Sequence, residues 1–186
     1  LSAYKITKNN VMAADPDPAH TPPGAYSIQV GQMKVKGVEF DLRGEIFPGL
    51  DLTLNYAYTD SKVTRNAGDI FVGSSIDGYA KHITNGWLTY RPKQNNFKGI
   101  GISLGYQYQL DRIPGAWGGT NPENLSLPNY FRLDGGINWQ DSKMNISLNV
   151  NNILNRYLYT GAPYDNYYYW QAEPGTNFRL SVGYSF

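Results

Sequence analysis

Apolar and polar residues alternate strictly along much of this chain of 186 residues. The clearest case runs from Ile100 to Asp111, where large apolar side chains take every second position and Gly, Ser, Gln and Asp take the others. Two further examples lie near the carboxy terminus, at 143–151 and 177–186. A period of two places one set of side chains on each face of a β-strand. The pattern therefore predicts an all-β chain of roughly eight strands.

The connections between these predicted strands alternate between long and short. The long ones, rich in Pro, Gly and Asp, lie at 9–25, 60–80, 111–126 and 157–175, and the short ones at 47–49, 92–98 and 140–143. An antiparallel up-and-down transmembrane β-barrel has this arrangement, with short turns at one end and long loops at the other. A β-sandwich also alternates, because its apolar face points inward, so it stands as the alternative fold.

Three features favour the barrel over the sandwich. Several predicted strands reach about 11 residues, and a strand needs about 9–11 to cross a bilayer, whereas globular strands average about 5–6. Their polar positions carry Gly, Ser, Asn and Gln more often than Lys and Glu. Large aromatic residues lie near strand ends on the apolar side, as in an interfacial girdle. These are Tyr58, Tyr90, Tyr108, Trp139, Tyr184 and Phe186.

Composition and motifs indicate no catalytic chemistry. The net charge of +1 favours neither a nucleic-acid partner nor an acidic ligand. His20 and His82 lie in or beside loops and outside any catalytic motif, so we predict that the chain is not an enzyme and an outer-membrane hydrolase has no support. Asp15 and Asp17 offer two carboxylates for calcium, but two carboxylates in a Pro-rich loop are usually just solvated, and we predict no metal site.

Three segments together resemble the barrel of TonB-dependent outer-membrane receptors. The first is NVNNILNRYLYTG at 149–161, an Asn-rich strand that runs into an aromatic loop. The second, at 35–60, is a Gly-Val-Glu strand that turns tightly into its neighbour. The third is YAKHITNGWLTYRP at 79–92, which departs from the family at Ala80, where Pro is often found. The resemblance makes His82 a structural residue.

The terminal strand also resembles the signal that the barrel assembly machinery reads. Arg179, Tyr184 and Phe186 take its polar and aromatic positions, while Ser181 replaces the small Gly expected between them. The resemblance implies that 1–186 is the carboxy-terminal part of a transmembrane barrel domain, roughly the last eight of about 22 strands around a plug. A complete barrel of eight strands, with a structural, adhesion or binding role, is the alternative.

The family implies a function and a set of partners. The chain would lie in the outer membrane of a Gram-negative bacterium and belong to an active importer of a scarce nutrient, with a ferric siderophore as the first expectation and cobalamin or carbohydrate as the others. No covalent cofactor is expected. The implied partners are outer-membrane lipid, the receptor's own amino-terminal plug, the TonB complex that supplies energy, the barrel assembly machinery and the small-molecule ligand.

Aromatic residues of the last two long loops are the candidate ligand site. Aromatic rings offer a large, rigid contact area, and their hydroxyl or N–H groups can bond a polar ligand. The predicted substrate-binding residues are Trp117, Tyr157, Tyr159, Tyr164, Tyr167, Tyr168, Tyr169 and Trp170. Alternatively, these rings pack loop on loop or extend the girdle. On the polar side, Arg43, Arg132 and Asp134 would contact the plug or bond one another.

Overall fold

A computed structural model describes residues 1–14, 26–65, 72, 73, 75, 79–93, 97–113, 127–164 and 167–186. Ten β-strands account for the regular structure within these ranges. They are β1 (Ser2–Ala14), β2 (Ser27–Phe47), β3 (Leu50–Arg65), β4 (Tyr79–Tyr90), β5 (Ile100–Ile113), β6 (Tyr130–Gln140), β7 (Met144–Asn151), β8 (Tyr159–Tyr164), β9 (Tyr167–Ala172) and β10 (Asn177–Tyr184).

Eight strands form one antiparallel sheet in the order β1-β2-β3-β4-β5-β6-β7-β10, which confirms the predicted all-β, up-and-down fold. β1 and β10 are its two edges and do not pair with each other, so the sheet is an open arc and the complete eight-stranded barrel is not favoured. β8 and β9 form a separate hairpin inside the last long loop, a feature that the sequence pattern did not predict.

The first and third strands extend well beyond their predicted ends. β1 continues past 8 to Ala14 because it pairs with β2 as far as Ala14↔Ser27, with a bulge around Val11. β3 continues past 59 to Arg65 because its pairing with β2 reaches Gln32↔Arg65. The backbone hydrogen bonds of a long partner strand thus hold residues whose own sequence lacks alternation.

The two faces of the sheet differ in chemistry. One, the apolar face, carries large side chains at every second position that remain exposed; Ile102 and Leu180, for example, are 51% and 67% accessible. The other, the polar face, carries residues such as Asn55, Asn85 and Arg132. Contiguous exposed apolar surface of this extent needs an apolar environment, which the hydrocarbon of a bilayer provides.

The short turns gather at one end, which we call the short-turn end. Gly49, at φ +82°, closes the β2–β3 turn, and its N–H donates to Glu45 Oε1 at 2.5 Å. Its carbonyl accepts from Arg91 N at 2.7 Å, so adjacent turns are linked; a Cβ at Gly49 would overlap the Arg91 carbonyl. Glycine is therefore required both for the backbone angle and for the close approach. The opposite end, where the long connections lie, is the long-loop end.

Two aromatic side chains cover glycines on the polar face. Trp87 on β4 lies over Gly105 on β5, and a methyl group at position 105 would overlap its ring. Tyr4 on β1 crosses Gly37, and its hydroxyl bonds Thr59 Oγ1 at 3.1 Å. The absent side chains leave room for rings to lie flat along the wall, which keeps the polar face smooth.

Candidate functional site at the long-loop end

Asn152, the first residue after β7, anchors the base of the last long loop. It is 1% accessible and adopts φ 52°, a left-handed conformation that Asn tolerates better than most residues. Its Nδ2 donates to the carbonyls of Arg156 (2.9 Å) and Pro174 (3.3 Å), while its Oδ1 accepts from Arg156 N at 3.0 Å. One buried amide therefore joins the two ends of the loop.

Further bonds complete this anchor from the backbone of the same residue. Asn152 N donates to Asp134 Oδ1 at 2.8 Å, and Asn152 O accepts from Thr176 Oγ1 at 2.8 Å. Asn155, also at positive φ, accepts from Thr176 N at 3.0 Å through its Oδ1. The Asn-rich segment that resembles the receptor family is thus a capping structure built from side-chain amides.

An ion-pair network on the polar face ties β6 to the hairpin. Arg132 Nε donates to Asp134 Oδ2 at 2.9 Å, and Arg132 Nη1 approaches Glu173 Oε2 at 3.5 Å. The Tyr130 hydroxyl donates to the same Glu173 oxygen at 2.9 Å and accepts from Arg132 Nη1 at 3.2 Å. Polar-face residues were expected either to contact the plug or to bond one another. Arg132 and Asp134 bond each other, whereas Arg43 lies farther along the sheet, where it pairs with Thr53.

Arg112 extends this network towards the preceding long loop. It is 7% accessible, and its Nη1 donates to the Pro128 carbonyl at 3.1 Å. Its guanidinium lies 5.3 Å from the centre of the Tyr130 ring, within the range of a cation–π contact. The Arg112 carbonyl accepts from Leu127 N at 3.0 Å. The returning end of that loop is thereby fixed to β5.

The hairpin β8–β9 carries most of the predicted ligand-site residues. Leu158, 3% accessible, precedes it, and its carbonyl accepts from Glu173 N at 2.8 Å just beyond the last register pair, Tyr159↔Ala172. Tyr157 is 87% accessible. The backbone of the hairpin brings together Tyr159, Tyr164, Tyr167, Tyr168, Tyr169 and Trp170, and the side chains from 161 to 170 are outside the described part, as is Trp117 altogether.

A groove of about 290 Å³ runs along the polar face next to the network. Its polar lining consists of hydroxyl and amide groups together with the Arg132–Asp134 pair, and the Trp87 ring supplies an apolar patch. The lining residues are Thr53, Asn55, Asn85, Gly86, Trp87, Gly105, Tyr106, Gln107, Arg132 and Asp134. Such a surface suits a neutral polar partner better than a highly charged one.

His82 packs on the apolar face, where its Nδ1 lies 2.8 Å from the Tyr56 hydroxyl and its ring 4.9 Å from that of Tyr58. These contacts agree with the structural role predicted for it. His20, Asp15 and Asp17 lie outside the described residues. Within the described ranges, no three His, Asp or Glu side chains are grouped closely enough to hold a metal ion. No helix in those ranges is long and apolar enough to cross a membrane.

The predicted assembly-signal residues lie on β10 and just after it. Arg179 pairs with Asn149 on the polar face, whereas Tyr184 is exposed on the apolar face with Phe178, Leu180 and Val182. The rings of Tyr184 and Phe186 meet edge to face with centres 5.2 Å apart. The two aromatic positions are therefore adjacent in space at the short-turn end of the sheet.

An open antiparallel sheet with an exposed apolar face, a polar face and long loops at one end is part of the wall of a transmembrane β-barrel. The particular family follows from comparison with known proteins. The family model described as "TonB dependent receptor-like, beta-barrel" matches residues 1–153, so this chain belongs to that family. Its members are outer-membrane receptors and transporters of Gram-negative bacteria, which confirms the predicted localisation and the prediction that the chain is not an enzyme.

Individual relatives support the same family. The ferrichrome outer membrane transporter/phage receptor of Escherichia coli K12 is 22% identical over 178 residues, which cover 92% of this chain and 22% of that protein. The probable TonB-dependent siderophore receptor PiuA of Acinetobacter baumannii is 26% identical over 175 residues, 88% of this chain and 22% of that protein. The chain thus spans less than a quarter of the length of either relative.

Solved structures share the fold. The pyoverdine outer membrane receptor FpvA from Pseudomonas aeruginosa PAO1 superimposes with a TM-score of 0.77 at 20% identity, over 99% of this chain and 26% of that one. The crystal structure of PiuA gives a TM-score of 0.73 at 21% identity, over 97% of this chain and 25% of that one. At these identities the likeness concerns the fold alone.

Proposed function

We propose that this chain is the carboxy-terminal part of the barrel of an active outer-membrane transporter that imports a ferric siderophore with energy from TonB. The single observation that carries the proposal is the family match over residues 1–153. The open edges of the sheet support it as well, because unpaired edge strands cost several kcal/mol per backbone group in lipid and call for further strands beside β1 and β10.

The ligand would be recognised at the mouth by the aromatic hairpin. Its base is held by Glu173 and Asn152, so the two ends of the hairpin are fixed to the rim of the wall. Few charges lie on the arm between Arg156 and Glu173, and its tyrosine hydroxyls can bond a polar iron chelate while the rings supply contact area. Related proteins are named as ferrichrome, ferric-pyoverdine and ferrioxamine receptors, which favours a siderophore over other nutrients.

The groove on the polar face would receive the plug. Its hydroxyl and amide lining can bond backbone groups of a packed domain, and the mutual pairing of Arg132 with Asp134 leaves little net charge at this point of the wall. TonB would then act on the plug and not on this chain. The assembly machinery would recognise Arg179, Tyr184 and Phe186, and outer-membrane lipid would cover the apolar face.

The direct test is uptake by the full-length receptor in cells. A deletion strain is complemented with the receptor gene, and uptake of iron-55 is measured with hydroxamate, catecholate and mixed-type siderophores, with and without TonB. We expect uptake of one class that requires both the receptor and TonB. Uptake of none of them, or uptake without TonB, would overturn the transport proposal; cobalamin or carbohydrate uptake instead would overturn its siderophore part.

The ligand site is tested by a double substitution, Tyr168→Ala with Trp170→Ala. Removal of two large contact rings should weaken binding at least about tenfold, because a single aromatic anchor commonly contributes about 1.4 kcal/mol or more. The control is Phe97→Ala, which removes a ring that is 51% accessible at the short-turn end and should leave affinity unchanged. Equal affinity of the double variant and the parent, with uptake intact, would exclude the hairpin as the site.

A further inference from the structure

Four lysines stand together on the apolar side of the first three strands, close to the long-loop end. We call Lys5, Lys34, Lys36 and Lys62 the lysine patch; all four are exposed. The register places Lys5 opposite Lys36 and Lys34 opposite Lys62, so the patch covers β1, β2 and β3 without a gap. Residues directly opposite each other have Cβ atoms about 5 Å apart, and like charges at that spacing repel.

The lysine patch lies directly beyond the large apolar residues of the apolar face, on the same strands. Lys36 lies two residues from Val38 and shares its face, and Lys62 lies four residues from Tyr58 on the same side of β3. An ion pair of 3.3 Å between Lys36 Nζ and Asp60 Oδ2 confirms that these side chains share one face. Two strand residues span about 7 Å, so the charges begin one step beyond the last lipid-facing apolar residues.

Among the residues that the structure describes, the charges of the patch are only partly balanced by acidic side chains. Asp60 is its one acidic neighbour in the described register, which leaves a net charge of +3 over the four lysines and this aspartate. The short-turn end differs, because there Lys93 pairs with Glu45 at 2.7 Å and Arg91 with Asp51 at 3.1 Å. An uncompensated cationic cluster at headgroup depth calls for an external anion.

We propose that the lysine patch binds the phosphorylated headgroup of lipid A, the glycolipid of the outer leaflet. The long-loop end of such a barrel faces the cell exterior, so the patch lies at the level of that headgroup. Its two phosphates carry about three negative charges at neutral pH, which matches the charge of the patch. Lysine stems cover apolar surface while their ammonium groups reach the phosphates. This inference concerns the outer wall and does not depend on which nutrient is transported.

The test uses the full-length receptor purified in a neutral detergent, with lipid binding followed by native mass spectrometry. The probes are diphosphorylated lipid A, the same lipid with its phosphates removed, phosphatidylglycerol and inorganic phosphate. The variant Lys5→Gln/Lys34→Gln/Lys62→Gln removes three charges and keeps the Lys36–Asp60 pair. Its matched control, Lys8→Gln/Lys98→Gln/Lys143→Gln, removes three exposed lysines that lie outside the patch.

We expect the parent protein to bind diphosphorylated lipid A more tightly than the other three probes. Each lysine near a charged membrane surface is worth about fivefold in affinity, so the patch variant should lose about 100-fold and the control less than about threefold. The loss should shrink as salt rises from about 0.05 to 0.5 M.

Several results would overturn the assignment. One is that the parent protein binds dephosphorylated lipid A as tightly as diphosphorylated lipid A. This comparison needs no variant, so it remains valid even if a substitution impairs folding. Equal binding of phosphatidylglycerol would remove the preference for the glycolipid, and competition by inorganic phosphate at similar concentration would show that any phosphate suffices. Equal loss in the control variant would show a nonspecific effect of net charge.

Discussion

Replacing Asn152 with Ala should release the base of the last long loop while leaving the sheet intact. The change removes three side-chain hydrogen bonds, two to carbonyls and one from Arg156 N, in a site that is 1% accessible. Each such bond is worth about 1 kcal/mol net. Alanine at φ 52° adds about 1 kcal/mol of backbone strain. The expected destabilisation of the loop base is therefore about 4 kcal/mol.

Hydrogen exchange measures this effect residue by residue. In the full-length receptor, amide exchange between 153 and 176 should accelerate by up to about 1,000-fold, whereas exchange in β5 should not change. The peptide N–H of Glu173, which donates to Leu158 O, is the most informative reporter. The variant Asn152→Gly separates the two contributions, since it loses the same bonds without the strain and should be about 1 kcal/mol less affected than Ala.

The matched control is Asn145→Ala, an exposed asparagine at the opposite, short-turn end of the same β7–β10 pairing. It should leave exchange at 153–176 unchanged. If Asn152→Ala also left that exchange unchanged, the buried amide would not hold the loop, and the account of Asn152 as the anchor of the hairpin base would be refuted.

Three further predictions concern other parts of the wall. Glu173→Gln keeps an acceptor for its tyrosine partner but loses the ion pair at 3.5 Å, so exchange in the hairpin should rise by about fivefold, and Glu173→Ala should have a larger effect. Gly105→Ala should lower the free energy of unfolding by about 1–3 kcal/mol because the added methyl group overlaps the Trp87 ring. Gly44→Ala is the control: its Cβ would meet open space, so it should change the free energy of unfolding by less than about 1 kcal/mol. Urea titration of the barrel in detergent measures both. Asp141 accepts two backbone N–H bonds in the β6–β7 turn, and these bonds lower the pKa of its carboxyl below the ordinary 3.8. The parent protein should therefore be more stable than Asp141→Asn above pH 3.8, and this advantage should fall as the pH drops through the lowered pKa. An advantage that persists unchanged at acidic pH would contradict the assignment.

The alternation of apolar and polar residues predicts the strands of the barrel wall, because successive side chains must face lipid and the barrel interior in turn. Alternation from Ile100 to Leu110 and from Phe178 to Tyr184 is sufficient to assign both strands, since each second side chain must face hydrocarbon. Where the strand leaves the hydrocarbon this pressure ends, and the pattern ends with it. The extension of β1 to Ala14 therefore had no local signal, because its partner strand supplies the backbone bonds that maintain it.

The candidate site was likewise predicted only in part, where its residues carry a local signal in the sequence. The aromatic residues of the last long loop are visible in the sequence because their number is unusual, whereas their arrangement as a hairpin depends on pairing between segments of no clear period. The residues that hold the hairpin were not predicted at all. Glu173 and Tyr130 are 43 residues apart and meet only after β6 and the hairpin are assembled, so no spacing rule can connect them.

Asn152 shows what signal the sequence does contain for such a site. Asparagine is among the residues that accept a left-handed backbone, and Asn152 and Asn155 both adopt one, so an Asn-x-x-Asn spacing directly after a strand predicts a capped turn. The lysine patch, by contrast, has no local signal in the sequence that would reveal it. Lys34 and Lys36 have the same parity as Val38 and interrupt the apolar alternation inside a strand that the sequence predicts from about residue 26. Only the register with β1 and β3 shows that Lys5 and Lys62 lie beside them. Charges that share the lipid-facing side of a continuous strand lie at the membrane surface, and their sign then indicates which headgroup they meet.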